Sequence, residues 1–139
     1  MSWTKAIKEL GPSGVLFLSS DGASVNCIVV ADPVVMEGTY KNKPQTRIGA
    51  PIVTSEGFCL LIIGKRTARK LSTLEGKFKD HVINITRHGV EGDSDATYEC
   101  TALPDAGTFK QLTAIKAKEF SKDALKEAVT DAKEVLSRS

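Results

Sequence analysis

The chain has 139 residues, 19 Lys and Arg against 17 Asp and Glu, and 41% hydrophobic residues; that suits one self-sufficient core burying roughly two-thirds of the unfolded surface. No apolar run approaches the roughly 20 residues of a membrane span, and the start, MSWTKAIKEL, has no apolar block followed by a small-residue cleavage site. A soluble, cytoplasmic protein without membrane contact is therefore expected. The near-neutral total hides an uneven distribution: residues 38–90 carry ten Lys and Arg against three carboxylates, a net of +7, whereas 1–37 and 91–139 are net −2 and −3. A local cationic field of that size attracts polyanions through counterion release, which puts nucleic acid first among candidate partners.

In chain order, Ser2 caps a short helix to Leu10, with Trp3, Ile7 and Leu10 on one stripe and the 11–14 turn ending it. Residues 1–12 are read as a helical cover piece. From Val15 to Leu103 the pattern is β: VLFLSS, SVNCIVVA after Asp21-Gly22, TRIGAPIV, FCLLII after Glu56-Gly57, HVINITR and ATYECTAL. These runs are short, rich in Val, Ile and Thr, and separated by turn residues, as antiparallel strands require. Between them, Lys65 to Phe78 reads as a helix, with Ala68, Leu71, Leu74 and Phe78 at helical spacing.

If VLFLSS and SVNCIVVA are halves of one bent strand, the order is three strands, a helix and two strands. That is the order of a five-stranded OB-fold barrel with its helix between strands 3 and 4, an all-β class with appended helices. Residues 13–106 would form this domain. Asp32 to Gln45 would be its first long loop, and Gly89 to Asp95 an acidic loop between strands 4 and 5. In the 107–139 extension, Ser121 caps a helix from Lys122 to about Leu136; its apolar face packs either on its own barrel or on a second protomer as a homodimer.

Binding single strands needs a cationic groove for phosphates and flat side chains on which bases stack. Lys41, Lys43 and Arg47 near strand 2, Lys65, Arg66 and Arg69 on the helix, and Arg87 ending strand 4 are the candidate phosphate contacts; Lys70, Lys77 and Lys79 lie nearby. Tyr40, in a polar cationic loop, is the best stacking candidate, and Phe58 falls between core and platform. Tyr98 reads as a core tyrosine with its hydroxyl at the rim, and Trp3, Phe17 and Phe78 as packing residues. Alternation sets Arg47 with Gly49 and Pro51 on one strand face, a poor core and a plausible nucleotide floor. Asn84 and Thr86 share a face suited to hydrogen-bonding bases or sugars.

Cys27, Cys59 and Cys100 sit singly in apolar runs, which reads as three reduced core thiols rather than a zinc site. Asp80-His81 and His88 lack an accompanying nucleophile, and Gly64-Lys65-Arg66-Thr67 lacks the upstream glycine of a phosphate loop. Neither catalysis, nor a cofactor, nor a metal is expected.

LFLSSDGASVNCIVVADPV and KDHVINITRHGVEGDSDATYECTALP, with Lys43-Pro44-Gln45-Thr46-Arg47 and Gly64-Lys65 between them, resemble the single-stranded-DNA-binding, helix-destabilising proteins of tailed phages. The resemblance spans residues 15–104. It implies an oligonucleotide-binding barrel that coats exposed strands in replication or recombination and meets proteins of those processes. Two features depart from that pattern: the first long loop carries no Cys or His for a zinc insertion, and the chain ends on Leu136-Ser137-Arg138-Ser139 rather than an acidic tail. The alternative reading is a protein-interaction module, such as a viral adaptor or inhibitor, on the same barrel and acting through its C-terminal helix.

Overall fold

The computed structural model describes residues 14–40, 42–89 and 96–137. The expected N-terminal helix with Trp3, the side chain of Lys41 and most of the acidic connection lie outside them. Seven strands form one mixed sheet: β1 (Val15–Leu16), β2 (Ser24–Val29), β3 (Val34–Tyr40), β4 (Lys43–Thr54), β5 (Gly57–Ile63), β6 (Val82–His88) and β7 (Thr97–Leu103). Three helices accompany it: α1 (Lys65–Ser72), α2 (Ala106–Glu119) and α3 (Lys122–Ser137).

The strand order is β1-β5-β4-β2-β6-β7, with β3 paired to β4. The sheet is not closed into a barrel, and α1 follows the fifth strand, so the expected five-stranded OB barrel with a helix between strands 3 and 4 is incorrect. Two strands account for the difference. VLFLSS is not half of a bent strand: its first two residues pair in parallel with β5, Val15 opposite Leu60, while β2 pairs antiparallel with β4 and β6. The expected first loop contains β3, which pairs with β4 from Val34 opposite Gly49 to Tyr40 opposite Lys43. Its hairpin turns through Asn42 at φ 65°, a left-handed conformation that Asn tolerates better than most residues.

Alternation along β4 builds two cores. Ile48, Ala50 and Ile52 face a cluster with Cys27, Leu61, Ile63, Ile83 and Ile85, closed by Leu71 of α1. The opposite face of the sheet is covered by α3, whose Ala128, Ala132 and Leu136 pack against Met36, Leu60 and Ile62. A third cluster docks α2 through Leu112 onto Ile28, Val53 and Val82. With helices and strands on both sides, β5 is buried nearly throughout, which is why FCLLII is a continuous apolar run rather than an alternating one.

The helix expected after Ser121 is observed. The amide of Ala124 donates to Ser121 Oγ at 3.0 Å, and α3 runs from Lys122 to Ser137. Its apolar face lies on its own sheet. The helix expected over 65–78 stops at Ser72, where the Ser72 and Thr73 hydroxyls donate to the carbonyls of Arg69 and Lys70 at 2.7 and 2.6 Å. Such side-chain bonds to the preceding turn compete with helix continuation. A 3-10 turn at Glu75–Lys77 carries the chain on towards β6.

Candidate nucleic-acid interface

Four of the seven candidate phosphate contacts, Arg47, Lys65, Arg66 and Arg87, meet in one groove of about 550 Å3, joined by Lys70. Its wall combines the segment after β1, the β3–β4 hairpin, the end of β5, the first turns of α1, and the ends of β6 and β7. Arg47, Lys65, Arg66, Lys70 and Arg87 line it, and no carboxylate does so among the described residues. Among the described residues the groove lining thus carries charge of one sign over low-dielectric strands, an arrangement that concentrates the field on an anion.

Helix α1 contributes more than side chains. It opens at Gly64, in extended conformation, with no side-chain cap and no acidic residue in its first turn. Its amino-terminal amides and the positive end of its dipole thus add to the lysine and arginine charges. The Nη1 of Arg47 comes so close to Gly64 that a Cβ there would meet it at 3.4 Å, so β4 and the helix start present their charges together.

Arg87 is the most firmly held of the five, at 5% exposure. Its guanidinium donates to the Gly89 carbonyl, and its backbone is clamped by the Asp21-Gly22 turn: Gly22 N donates to the Arg87 carbonyl and Arg87 N to the Ala23 carbonyl, both at 2.8 Å. The Asp-Gly signal is thus a turn, with Gly22 at φ 80°, that anchors the end of β6 rather than joining two paired strands. Asp21 Oδ1 completes the anchor by accepting from Gly89 N at 3.0 Å.

Among the described residues two aromatic side chains line the groove. Phe17 is 43% exposed, and Tyr98 is half-buried with its hydroxyl donating to the Leu18 carbonyl at 3.4 Å. The sequence reads Phe17 as a packing residue, and the structure exposes it instead. Its exposure follows from alternation, since Leu16 and Leu18 turn into the main core and Phe17 falls on the other side. That signal is present in the sequence. Tyr98 matches its expected placement, core-packed with the hydroxyl at the rim.

The other sequence candidates lie elsewhere. Arg69 is exposed on α1 outside the groove lining, and Lys43 is exposed at the start of β4. Tyr40 ends β3 opposite Lys43; its side chain, like Lys41, lies outside the described residues. Phe58 stacks on Phe120, with ring centroids 5.1 Å apart and planes at 55°, in the sheet–helix interior rather than on a nucleotide platform. Of the face bearing Arg47, Gly49 and Pro51, only Arg47 reaches the groove. Pro51 is fully buried, and Leu60 lies over Gly49 where a Cβ would sit 2.8 Å from it.

Asn84 and Thr86 are already engaged with each other and with β2. Asn84 Nδ2 donates to Asn26 Oδ1 and Ser24 Oγ at 2.8 and 2.9 Å, and Thr86 Oγ1 to Asn84 Oδ1 at 2.8 Å. This ladder is a cross-strand tie between β2 and β6 and does not line the groove. His81 bonds Asp80, and His88 Nε2 lies 3.2 Å from Glu99 Oε2. No group of three metal-ligating side chains occurs among the described residues. Burial pushes all three thiols up, Cys59 to about 11 and Cys27 further still, which keeps them protonated and unreactive. Among the described residues no helix is long and apolar enough to cross a membrane.

No protein-family model matches the chain, and neither a curated protein nor a solved structure matches it.

Proposed function

We propose that the protein binds single-stranded DNA without catalysing a reaction, holding exposed strands unpaired in replication or recombination. The observation that carries this reading is the meeting of five cations from three separate elements, β4, α1 and β6, without a carboxylate among the described lining, in a groove also lined by the exposed Phe17 and the half-buried Tyr98. Cations follow the phosphates; aromatic faces accept bases of any sequence, each stacked base contributing about 1–3 kcal/mol. The sequence resemblance to phage single-strand-binding proteins points to the same activity, and proteins of replication or recombination are the partners it implies.

The test is a titration with oligo-dT, duplex DNA and oligo-U at several salt concentrations. With four or five phosphates neutralised, the oligo-dT affinity should fall with salt at a log–log slope of about −3, on the order of a thousandfold per tenfold rise. A flat response, or equal affinity for duplex, would overturn the reading.

A further inference from the structure

A second cavity, of about 570 Å3, opens between the end of β2, the middle of β4, α1 and α2. It exists because β2 and β4 part company: Val30 N donates to the Pro51 carbonyl at 3.0 Å, and past that bond the chain turns away through residues 31–33 before β3 rejoins β4. The wedge so opened is lined by Val30, Ile48, Ala50, Leu71, Phe78 and Phe109. Its volume lies within the range of roughly 300–1,000 Å3 typical of small-molecule sites, and its walls are apolar in the same way.

The polar groups around it are few, and their state defines the ligand. Ser72 Oγ already donates to the Arg69 carbonyl and Thr113 Oγ1 to the Phe109 carbonyl, at 2.7 and 2.9 Å. No buried side-chain N or O among the described residues lacks a partner, so the interior asks no hydrogen bond of an occupant. The remaining polar lining is Asp32, Glu75, Lys79 and Lys116, and none of these four forms an ion pair among the described residues. Asp32, Glu75 and Lys79 are exposed, whereas Lys116 is half-buried against the apolar wall. The least exposed of the four charges is therefore positive, and a lysine stem lies readily along apolar surface while its ammonium stays available.

We infer that this cavity binds a single-chain amphiphile with one negative charge, a free fatty carboxylate in its simplest form, the chain lying among Ile48, Ala50, Phe78 and Phe109 and the carboxylate meeting Lys116. The site shares only Ile63 with the lining of the basic groove and does not depend on nucleic-acid binding.

The test is calorimetric titration of the full chain with monomeric dodecanoate and, as an uncharged control of equal length, 1-dodecanol. Dodecanoate is expected to bind at one per chain. Lys116→Gln should weaken dodecanoate about tenfold, the scale of one charge-assisted contact, and leave 1-dodecanol unchanged. Thr113→Phe, at an exposed position on the rim, should weaken both. Absence of saturable dodecanoate binding, equal affinity in Lys116→Gln, unaltered binding in Thr113→Phe, or displacement of dodecanoate by oligo-dT would each overturn the assignment.

Discussion

The side-chain ammonium of Lys70 donates to the main-chain carbonyl of Tyr98 at 2.7 Å, tying α1 to the outer edge of β7. Among the described residues strand β7 pairs only with β6, and an edge strand presents a row of carbonyls and amides in want of partners. Tyr98 in turn reaches the segment after β1 through its hydroxyl bond to Leu18. One residue pair thus links the helix that carries Lys65 and Arg66 to the strand that closes the groove, and the same tyrosine steadies the segment that exposes Phe17.

Lys70→Met should break this tie. The bond is solvent-exposed, so the expected stability loss is modest, about 0.5–1 kcal/mol in urea unfolding. The sharper readout is hydrogen exchange: amides of β7 should exchange faster in the variant while those of β4 and β5 do not. Uniform protection across the sheet would mean that Lys70 does not hold the edge.

Phe17→Ala should weaken oligo-dT binding by about 1–3 kcal/mol, the range for loss of a stacking platform. Because the ring is 43% exposed and sits opposite Leu16 and Leu18, the thermal midpoint should move little. A variant that loses stability but keeps its affinity would identify Phe17 as a packing residue after all.

Within the groove, Arg47→Gln, Lys65→Gln and Arg66→Gln should each make the salt slope shallower by about 0.7, one phosphate contact's worth for a single strand. Arg69→Gln, on the same helix but outside the lining, should leave the slope unchanged. Equal effects at all four positions would indicate diffuse attraction to a basic surface rather than a groove.

What the sequence made legible was local. The Ser121 cap and the apolar spacing after it located α3, and β2, β4, β5, β6 and β7 fell where β-branched runs were bounded by turn residues. Strand β3 was hidden because DPVVMEGTYKNKPQ has the composition of a loop, and only the long partner β4 makes VVMEGTY a strand. Tertiary pairing decides such segments. Helix α2 had a signal that went unread. The Asp105 carboxylate accepts from Thr108 N and from its hydroxyl at 3.0 and 2.7 Å, and Phe109, Leu112 and Ile115 follow at helical spacing. These two hydrogen bonds hold the Asp105 carboxyl below its ordinary range. For the site, charge arithmetic found the cations but not which of them share a wall; that depends on β4 and β7 meeting α1, contacts between residues far apart in the chain.

The thiols give a pH dependence with a defined sign. Burial raises Cys59 from 9.0 to about 11, so folding favours its protonated form. The resulting stability is fully present below pH 9 and is lost as pH rises towards 11. Urea midpoints measured in reductant should therefore fall across that window, and fall less steeply in Cys59→Ala, whatever that variant's absolute stability. Parallel pH profiles for the two proteins would show that the thiol ionises as readily folded as unfolded.

Helix α3 approaches the sheet closely at Gly38, where an added Cβ would lie 2.8 Å from the Cβ of Leu136. The backbone of β3 there is ordinary, so the glycine is required by proximity and not by conformation. Gly38→Ala must push the helix end outward, at a cost of about 1–3 kcal/mol for overpacking. Leu136→Gly removes that Cβ with the rest of the side chain but leaves a void beside Met36 and a glycine in the helix, for about 3–5 kcal/mol. Since the alanine methyl at position 38 enters the space that Leu136 vacates, the double variant should be more stable than the sum of the single losses allows, by about 1 kcal/mol or more. Strict additivity in chemical denaturation would mean that α3 does not rest on β3 at this point.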